Sequence, residues 1–124
     1  MIPKFRAWFD SEMYDKPVVY DGEFYLDWRE FENGETYNGA VLMQSTGLKD
    51  KNGNEIFESD IVKYKSGCNT YTEEVAYDKN FAGFGVRDAN ADIIFTFWEL
   101  AEDIDLHSLE VIGNIWEDGE LLDS

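Results

Sequence analysis

The sequence holds one cysteine (Cys68), one histidine (His107) and two prolines in 124 residues. A single cysteine forms no intrachain disulfide, so nothing in the chain asks for an oxidising compartment. Without Cys or His clusters no zinc site is expected. No apolar run approaches the roughly 20 residues of a membrane-spanning helix. The opening Met1-Ile2-Pro3-Lys4-Phe5-Arg6 lacks the apolar core of a signal peptide, so the cytoplasm is the expected location and no membrane partner is expected. Gly83-Phe84-Gly85 lacks the Lys-Ser/Thr and the following helix of a phosphate loop, and no cofactor is expected. Basic residues are also missing from one end. All ten Lys and Arg precede Asp88, and Asp88 to Ser124 carries eleven acids and no base. That segment repels polyanions, which makes nucleic acid an unfavoured partner.

What is abundant is acid and aromatic. The net charge is −17, with four Trp, seven Tyr and nine Phe. A chain this long hides roughly two-thirds of its unfolded surface, enough for a core without a metal or disulfide staple. Large flat side chains suit a sheet-based core, and the four tryptophans are expected mostly within it. The acidic excess reads as a solubilising surface, or as one that attracts a basic protein.

Alternation marks the strands. Phe5, Ala7 and Phe9 fall on one side, Lys4 and Arg6 on the other. Asp10 to Lys16 reads as a polar connection, and Pro17 bars a central strand position. Val18-Val19-Tyr20, Asp21-Gly22 and Glu23 to Trp28 predict a hairpin with a type I′ turn, Phe24, Leu26 and Trp28 sharing a face. Residues 29–39 read as a loop, and Val41 to Gln44 as a short strand. Further strands are predicted at 61–65, 72–77, 84–88, 93–98 and 109–116. In 93–98 both faces are apolar, which predicts a central or covered strand. Leu100, Ala101 and Ile104 predict one side of a helical turn, and Gly113 a bulge. Strands joined by short turns, with almost no helical period, predict a mainly β fold: a small antiparallel barrel or roll with extra N-terminal strands and at most short helical turns.

The middle of the chain is the most distinctive text. Leu42-Met43-Gln44, Thr46-Gly47-Leu48-Lys49-Asp50-Lys51-Asn52-Gly53, Glu55-Ile56-Phe57-Glu58 and Asp60-Ile61-Val62 are followed, near the end, by Leu109-Glu110-Val111-Ile112-Gly113-Asn114-Ile115-Trp116-Glu117 and Glu120-Leu121-Leu122. With the opening Lys4 to Trp8, these segments resemble the YopX family, small proteins of phages and prophages of bacteria, over essentially the whole chain. The resemblance implies a mainly β fold with a barrel of the SH3 type, a bacterial host cell, and a single domain over 1–124, with N-terminal strands and a hairpin in 1–45 and a barrel-like core in 46–124. It carries over no activity. It implies that Thr46, Gly47, Leu48, Asp50, Asn52, Gly53, Ile56, Asp60, Ile61, Val62, Val111, Gly113 and Asn114 are family-motif positions with a structural role. Ser45 departs from an aromatic in that pattern. Ser59 departs from a glycine, which predicts that its turn accepts a negative φ.

Tested for chemistry, the residues give little. With Gly53 set as the glycine of an EF-hand loop, Leu48 and Ser59 fall where the anchoring acids belong, so no calcium site is expected. His107 and Cys68 have no supporting nucleophile elbow. The paired acids Glu102, Asp103 and Asp105, and Asp118 with Glu120, are what so acidic a chain produces by chance, and no other metal site is expected. Lys49, Lys51, Lys63 and Lys65 lie beside Asp50, Glu55, Glu58 and Asp60 and read as a mixed, solvated face. The expectation is therefore a non-enzymatic, phage-type accessory protein that binds another protein, with open strand edges that also allow homo-oligomers. The alternatives are a nucleic-acid-binding SH3-like module and an acidic DNA-mimic inhibitor.

Overall fold

A computed structural model describes residues 4–14, 18–20, 23–25, 41–88 and 93–123. The described chain is mainly β, with a curled antiparallel half-barrel sheet and only short helices. It divides into two compact units, Met1–Ser45 and Thr46–Ser124.

In the first unit, Phe5–Phe9 (β1) pairs antiparallel with Glu12–Tyr14 (β2) and with the start of Val41–Lys49 (β5). Among its described residues Ala7 and Met43 are buried. The predicted polar connection after Phe9 is instead a hairpin. Phe9 faces Glu12, and Asp10 and Ser11 both take positive φ, 50° and 65°. That is the pair of left-handed residues a type I′ turn needs, supplied without glycine. Val18–Tyr20 (β3) and Glu23–Tyr25 (β4) pair with Tyr20 opposite Glu23. The Asp21-Gly22 turn between them, the Phe24-Leu26-Trp28 face and the 29–39 loop lie outside what is described.

The second unit begins inside β5, which runs unbroken through Thr46-Gly47-Leu48 rather than stopping at Gln44. Its neighbour is Glu55–Phe57 (β6). A five-stranded sheet follows, built from Asp60–Ser66 (β7), Asn69–Asp78 (β8), Gly83–Asp88 (β9), Ile93–Thr96 (β10) and Glu110–Asn114 (β11), in the order β10-β9-β8-β7-β11. Because strand side chains alternate, Val62 and Tyr64 of β7 share a face with Val75 of β8 and Val86 of β9, while Ile61, Lys63 and Lys65 take the other. The first face carries the core: Ile56, Val62, Tyr64, Val75, Val86, Phe97, Leu100 and Leu109.

Four local expectations are corrected. Among the described residues strand β10 is the edge of its sheet, not central, and Ile93 and Phe95 are exposed. It ends at Thr96, where Phe97–Leu100 (α1) begins. Leu100 and Ile104 then face the core, but Ala101 is exposed. The last strand stops at Asn114 instead of Trp116, because the Asn114 side chain accepts from the Trp116 and Glu117 amides and caps Ile115–Asp118 (α2). Finally, Trp98 is 65% exposed and Trp116 37%, so neither is a core residue. The bulge near Gly113 is present: Val111 faces Val62 and Gly113 faces Ile61, leaving Ile112 as the extra residue.

Candidate functional site

Asp50 organises the turn that follows β5. Its Oδ1 accepts from the Asn52 and Asn54 amides, at 2.9 and 2.8 Å. Its Oδ2 accepts from the Asn54 side chain at 3.4 Å and from the Val111 amide at 2.9 Å. Burial pushes its carboxyl up, but the N–H groups of Val111, Asn54 and Asn52 outweigh it and hold the carboxyl below its ordinary value. Gly53, at φ 84°, lets the chain reverse. The Lys51 amide then donates to the Leu109 carbonyl at 2.9 Å. The turn is thus stitched to the segment entering β11, which fixes where Lys51 emerges.

Lys51 emerges at the rim of a cleft of about 490 Å³. The cleft is lined by Lys51, Lys63, Tyr64, Lys65, Thr70, Ser108 and Glu110. Lys63 and Lys65 come from the outer face of β7, two residues apart and so on one side of the strand. Thr70 pairs opposite Lys65 on β8, and Glu110 opposite Lys63 on β11. Ser108 closes the 3-10 turn Leu106–Ser108, whose Asp105 accepts from the His107 amide. Lys51 Nζ lies 3.8 Å from Glu110 Oε1, with both side chains part exposed. Among the described residues Lys63 and Lys65 make no ion pair. The four acids close to the lysines in sequence do not neutralise these two. Asp50 is committed to the turn, and Asp60 is buried and accepts from the Phe57 amide at 2.8 Å. Thr70, Ser108 and Glu110 were not singled out in the sequence; only register and the turn before β11 bring them in. Lys49 does not line the cleft.

On the core face beneath, Tyr64 donates to Glu73 Oε1 and stacks on Tyr71, with ring centroids 5.4 Å apart. Burial, then the Glu73 bond, pushes the Tyr64 hydroxyl far above its usual value. Burial raises Glu73 as well, with the Asp88 charge adding to it and the Tyr64 bond opposing. The Tyr64 ring and hydroxyl, though Tyr64 lines the cleft, are thus engaged with Tyr71 and Glu73.

The opposite edge of the sheet is apolar. Ile93 and Phe95 of β10, Trp98 of α1 and Phe81 in the β8–β9 turn are all exposed. Tyr77 is exposed too, and meets Phe84 edge-on at 5.1 Å.

The family-motif positions fall in the second unit, around the 46–62 segment and β11. Thr46 Oγ1 donates to the Ile56 carbonyl at 2.8 Å and accepts from the Leu48 amide at 3.1 Å. Gly47 takes φ 82°. Ile56, Ile61 and Val62 are fully buried, and Leu48 and Val111 pack against the core. Gly113 lies against the Asp118 side chain, whose Oδ2 accepts from the Asn114 amide at 3.2 Å. Ser59 does not take the negative φ expected of it. It sits at φ 72°, held there because its amide donates to the Val75 carbonyl and its carbonyl accepts from the Ile115 amide. Cys68 is an exposed thiol in the β7–β8 turn. Among the described residues no three His, Cys, Asp or Glu side chains are grouped as a metal site, and no helix is long and apolar enough to cross a membrane.

The family model described as YopX protein matches residues 4–123. Protein EF1440 from Enterococcus faecalis is 32% identical to the chain, and its solved structure matches with a TM-score of 0.62 over 98% of this chain and 99% of that one. Protein yopX from Bacillus subtilis is 20% identical, with a TM-score of 0.60 over 96% of this chain and 97% of that one, a likeness of fold. No curated protein matches the chain.

Proposed function

The chain belongs to the YopX family, and we propose that it is a phage-type accessory protein that works in the bacterial cytoplasm as one domain, by binding another protein rather than by catalysis. The observation that carries this reading is the β10 edge: among the described residues β10 has a neighbour on one side only, Ile93 and Phe95 stand exposed on it, and Trp98 stands exposed in α1 directly after it. Aromatic anchors at an open edge are what an added strand needs: backbone groups to pair with and side chains to cover. The surrounding charge selects the partner. Asp88, Glu99, Glu102 and Asp103 flank the edge in sequence with no basic residue after Arg87, so the fitting partner is an extended segment with apolar side chains flanked by Lys or Arg. The two alternatives have less support. The one aromatic residue lining the cleft with the lysines, Tyr64, is already stacked on Tyr71, which leaves no platform for a nucleic-acid strand. Of the acids a DNA mimic would display, Glu99 accepts from Thr96, Asp105 from His107 and Asp118 from Asn114.

The family-motif residues are read as structural under this proposal, since Asp50, Thr46 and Asn114 spend their side chains on backbone groups of the chain itself. The test compares the proteins retained from bacterial lysate by the chain, by Phe95→Asp and Trp98→Ala, and by Lys63→Gln. The proposal expects a defined partner that is lost with the first two variants, kept with the third, and weakened by salt. Identical retention by all of them, or a solution mass showing the edge already covered by a second copy, overturns it.

A further inference from the structure

We infer that the cleft between β7, β11 and the Asp50 turn is a binding site for a phosphate group, one borne by a small ligand rather than by a polymer. This goes beyond the protein-binding reading and does not depend on it. The argument starts from an imbalance. The chain has 27 acidic and ten basic residues, so most lysines should find a carboxylate. Among the described residues Lys63 and Lys65 do not, although they stand on one face of one strand, where like charges repel at short range. Glu110, the carboxylate in the lining, is drawn to Lys51 at 3.8 Å. Three ammonium groups against one carboxylate leave the lining with two positive charges inside a molecule of net charge −17.

That local excess matches a phosphate dianion, which carries about two negative charges near neutral pH. Thr70 adds a hydroxyl donor for a remaining oxygen, while the Ser108 hydroxyl donates to the Asp105 carbonyl at 2.6 Å. A volume of about 490 Å³ is that of a small-molecule site. Two features argue against a nucleic-acid strand. Stacking platforms hold single strands, and the one aromatic residue in the lining, Tyr64, has its ring against Tyr71 and its hydroxyl on Glu73. The field of the remaining carboxylates opposes a long polyanion far more than a single phosphate.

The test is calorimetric titration of the full chain with pyrophosphate at low and at near-physiological salt. We expect one saturable site that weakens with salt. Lys63→Gln with Lys65→Gln should weaken it about tenfold or more, the loss that follows removal of charge-assisted hydrogen bonds. Lys79→Gln, in the β8–β9 turn, should leave it unchanged. A nucleoside diphosphate should bind within about tenfold of pyrophosphate, because no base-stacking surface is offered. Both lysines are exposed, and circular dichroism checks that the variants fold. The inference is overturned by any of four results: no saturable binding by the parent chain, equal binding by the double variant, equal loss in Lys79→Gln, or affinity for oligothymidylate that climbs with its length.

Discussion

The Asp50 carboxylate accepts a hydrogen bond from the amide of Val111, 61 residues further along, at 2.9 Å. That bond joins the turn after β5 to the last strand of the sheet, and the Lys51 amide, donating to Leu109, makes a second one beside it. Asp50→Ala leaves the Asn52, Asn54 and Val111 amides without their acceptor, and should lower stability by roughly 2–4 kcal/mol in urea unfolding. Asp50→Asn keeps one oxygen but turns an NH₂ toward a donor, so it should recover only part of the loss. The pH dependence follows from the sign of the shift. The folded-state carboxyl lies below the ordinary 3.8, so its contribution is complete above that value and is lost as pH falls through the folded-state value. Asp50→Ala should flatten the acid limb of the stability curve. An unchanged limb would show that other carboxylates drive acid unfolding.

Ser59 pays for a left-handed backbone. At φ 72° a residue with a Cβ is strained by about 1–2 kcal/mol, and glycine is not. Ser59→Gly should raise stability by about 1 kcal/mol after the extra entropy of glycine in the unfolded chain is subtracted. In a domain this size that is about 4 °C in Tm. Ser59→Ala, which keeps the Cβ, should give no such gain. A destabilised Gly variant would mean that the serine hydroxyl carries an interaction outweighing the strain.

Ser59 also shows where sequence reading ends. Most of the strands were legible from alternation, β2 and β6 excepted, and the bulge at Gly113 from an inconvenient glycine. Backbone sign at a non-glycine position was not, because two long-range bonds, to Val75 and from Ile115, set it. The same holds for the β1–β2 hairpin, where Asp10-Ser11 does the work usually signalled by Asn-Gly. Strand β10 misled for a different reason: apolar residues on both faces mean burial only if something covers them, and Phe95 is 43% exposed. The cleft was half legible. The spacing of Lys63 and Lys65 puts them together, but Asp50 and Asp60 could be removed from the charge balance only after their hydrogen bonds were seen.

The Tyr64–Glu73 pair makes stability depend on pH in the opposite sense to Asp50. Burial holds the Glu73 carboxyl above its ordinary 4.5 in the folded protein, with Asp88 adding and Tyr64 opposing. Its favourable contribution is therefore complete below 4.5 and is lost as pH rises through the folded-state value. Glu74, raised by burial with Arg87 opposing, acts in the same direction. Stability should thus climb as pH falls from neutral into the mildly acidic range, before Asp50 protonates. Tyr64→Phe should cost roughly 1–3 kcal/mol, because it strands a buried carboxylate without its donor, and the cost should shrink as Glu73 protonates. Glu73→Gln should flatten the rise. If thermal melts show the same slope in parent and Glu73→Gln, Glu73 is not its source.

Two glycines separate a backbone obstacle from a side-chain one. A Cβ on Gly85 would lie 2.6 Å from the Phe95 carbonyl carbon and 2.7 Å from the Thr96 Cα, so β10 itself is in the way. A Cβ on Gly113 would lie 2.8 Å from the Asp118 Cγ and 2.9 Å from its Cβ. Backbone in a paired strand cannot move without breaking the ladder, whereas the Asp118 carboxylate, beside the exposed Trp116 and Glu117, can turn away and leave only its Cβ in close contact. Gly85→Ala should therefore cost about 3 kcal/mol or more. Gly113→Ala should cost about 1–2 kcal/mol, the loss of the bond from the Asn114 amide plus the shift needed to clear the Asp118 Cβ. Asp118→Ala should remove only part of that second penalty, because the carboxylate leaves but the Cβ at 2.9 Å stays, and should do nothing for Gly85→Ala. Urea unfolding of the four proteins reads this directly: equal losses for the two glycine variants, or rescue of Gly85→Ala by Asp118→Ala, would contradict the packing of β10 against Gly85.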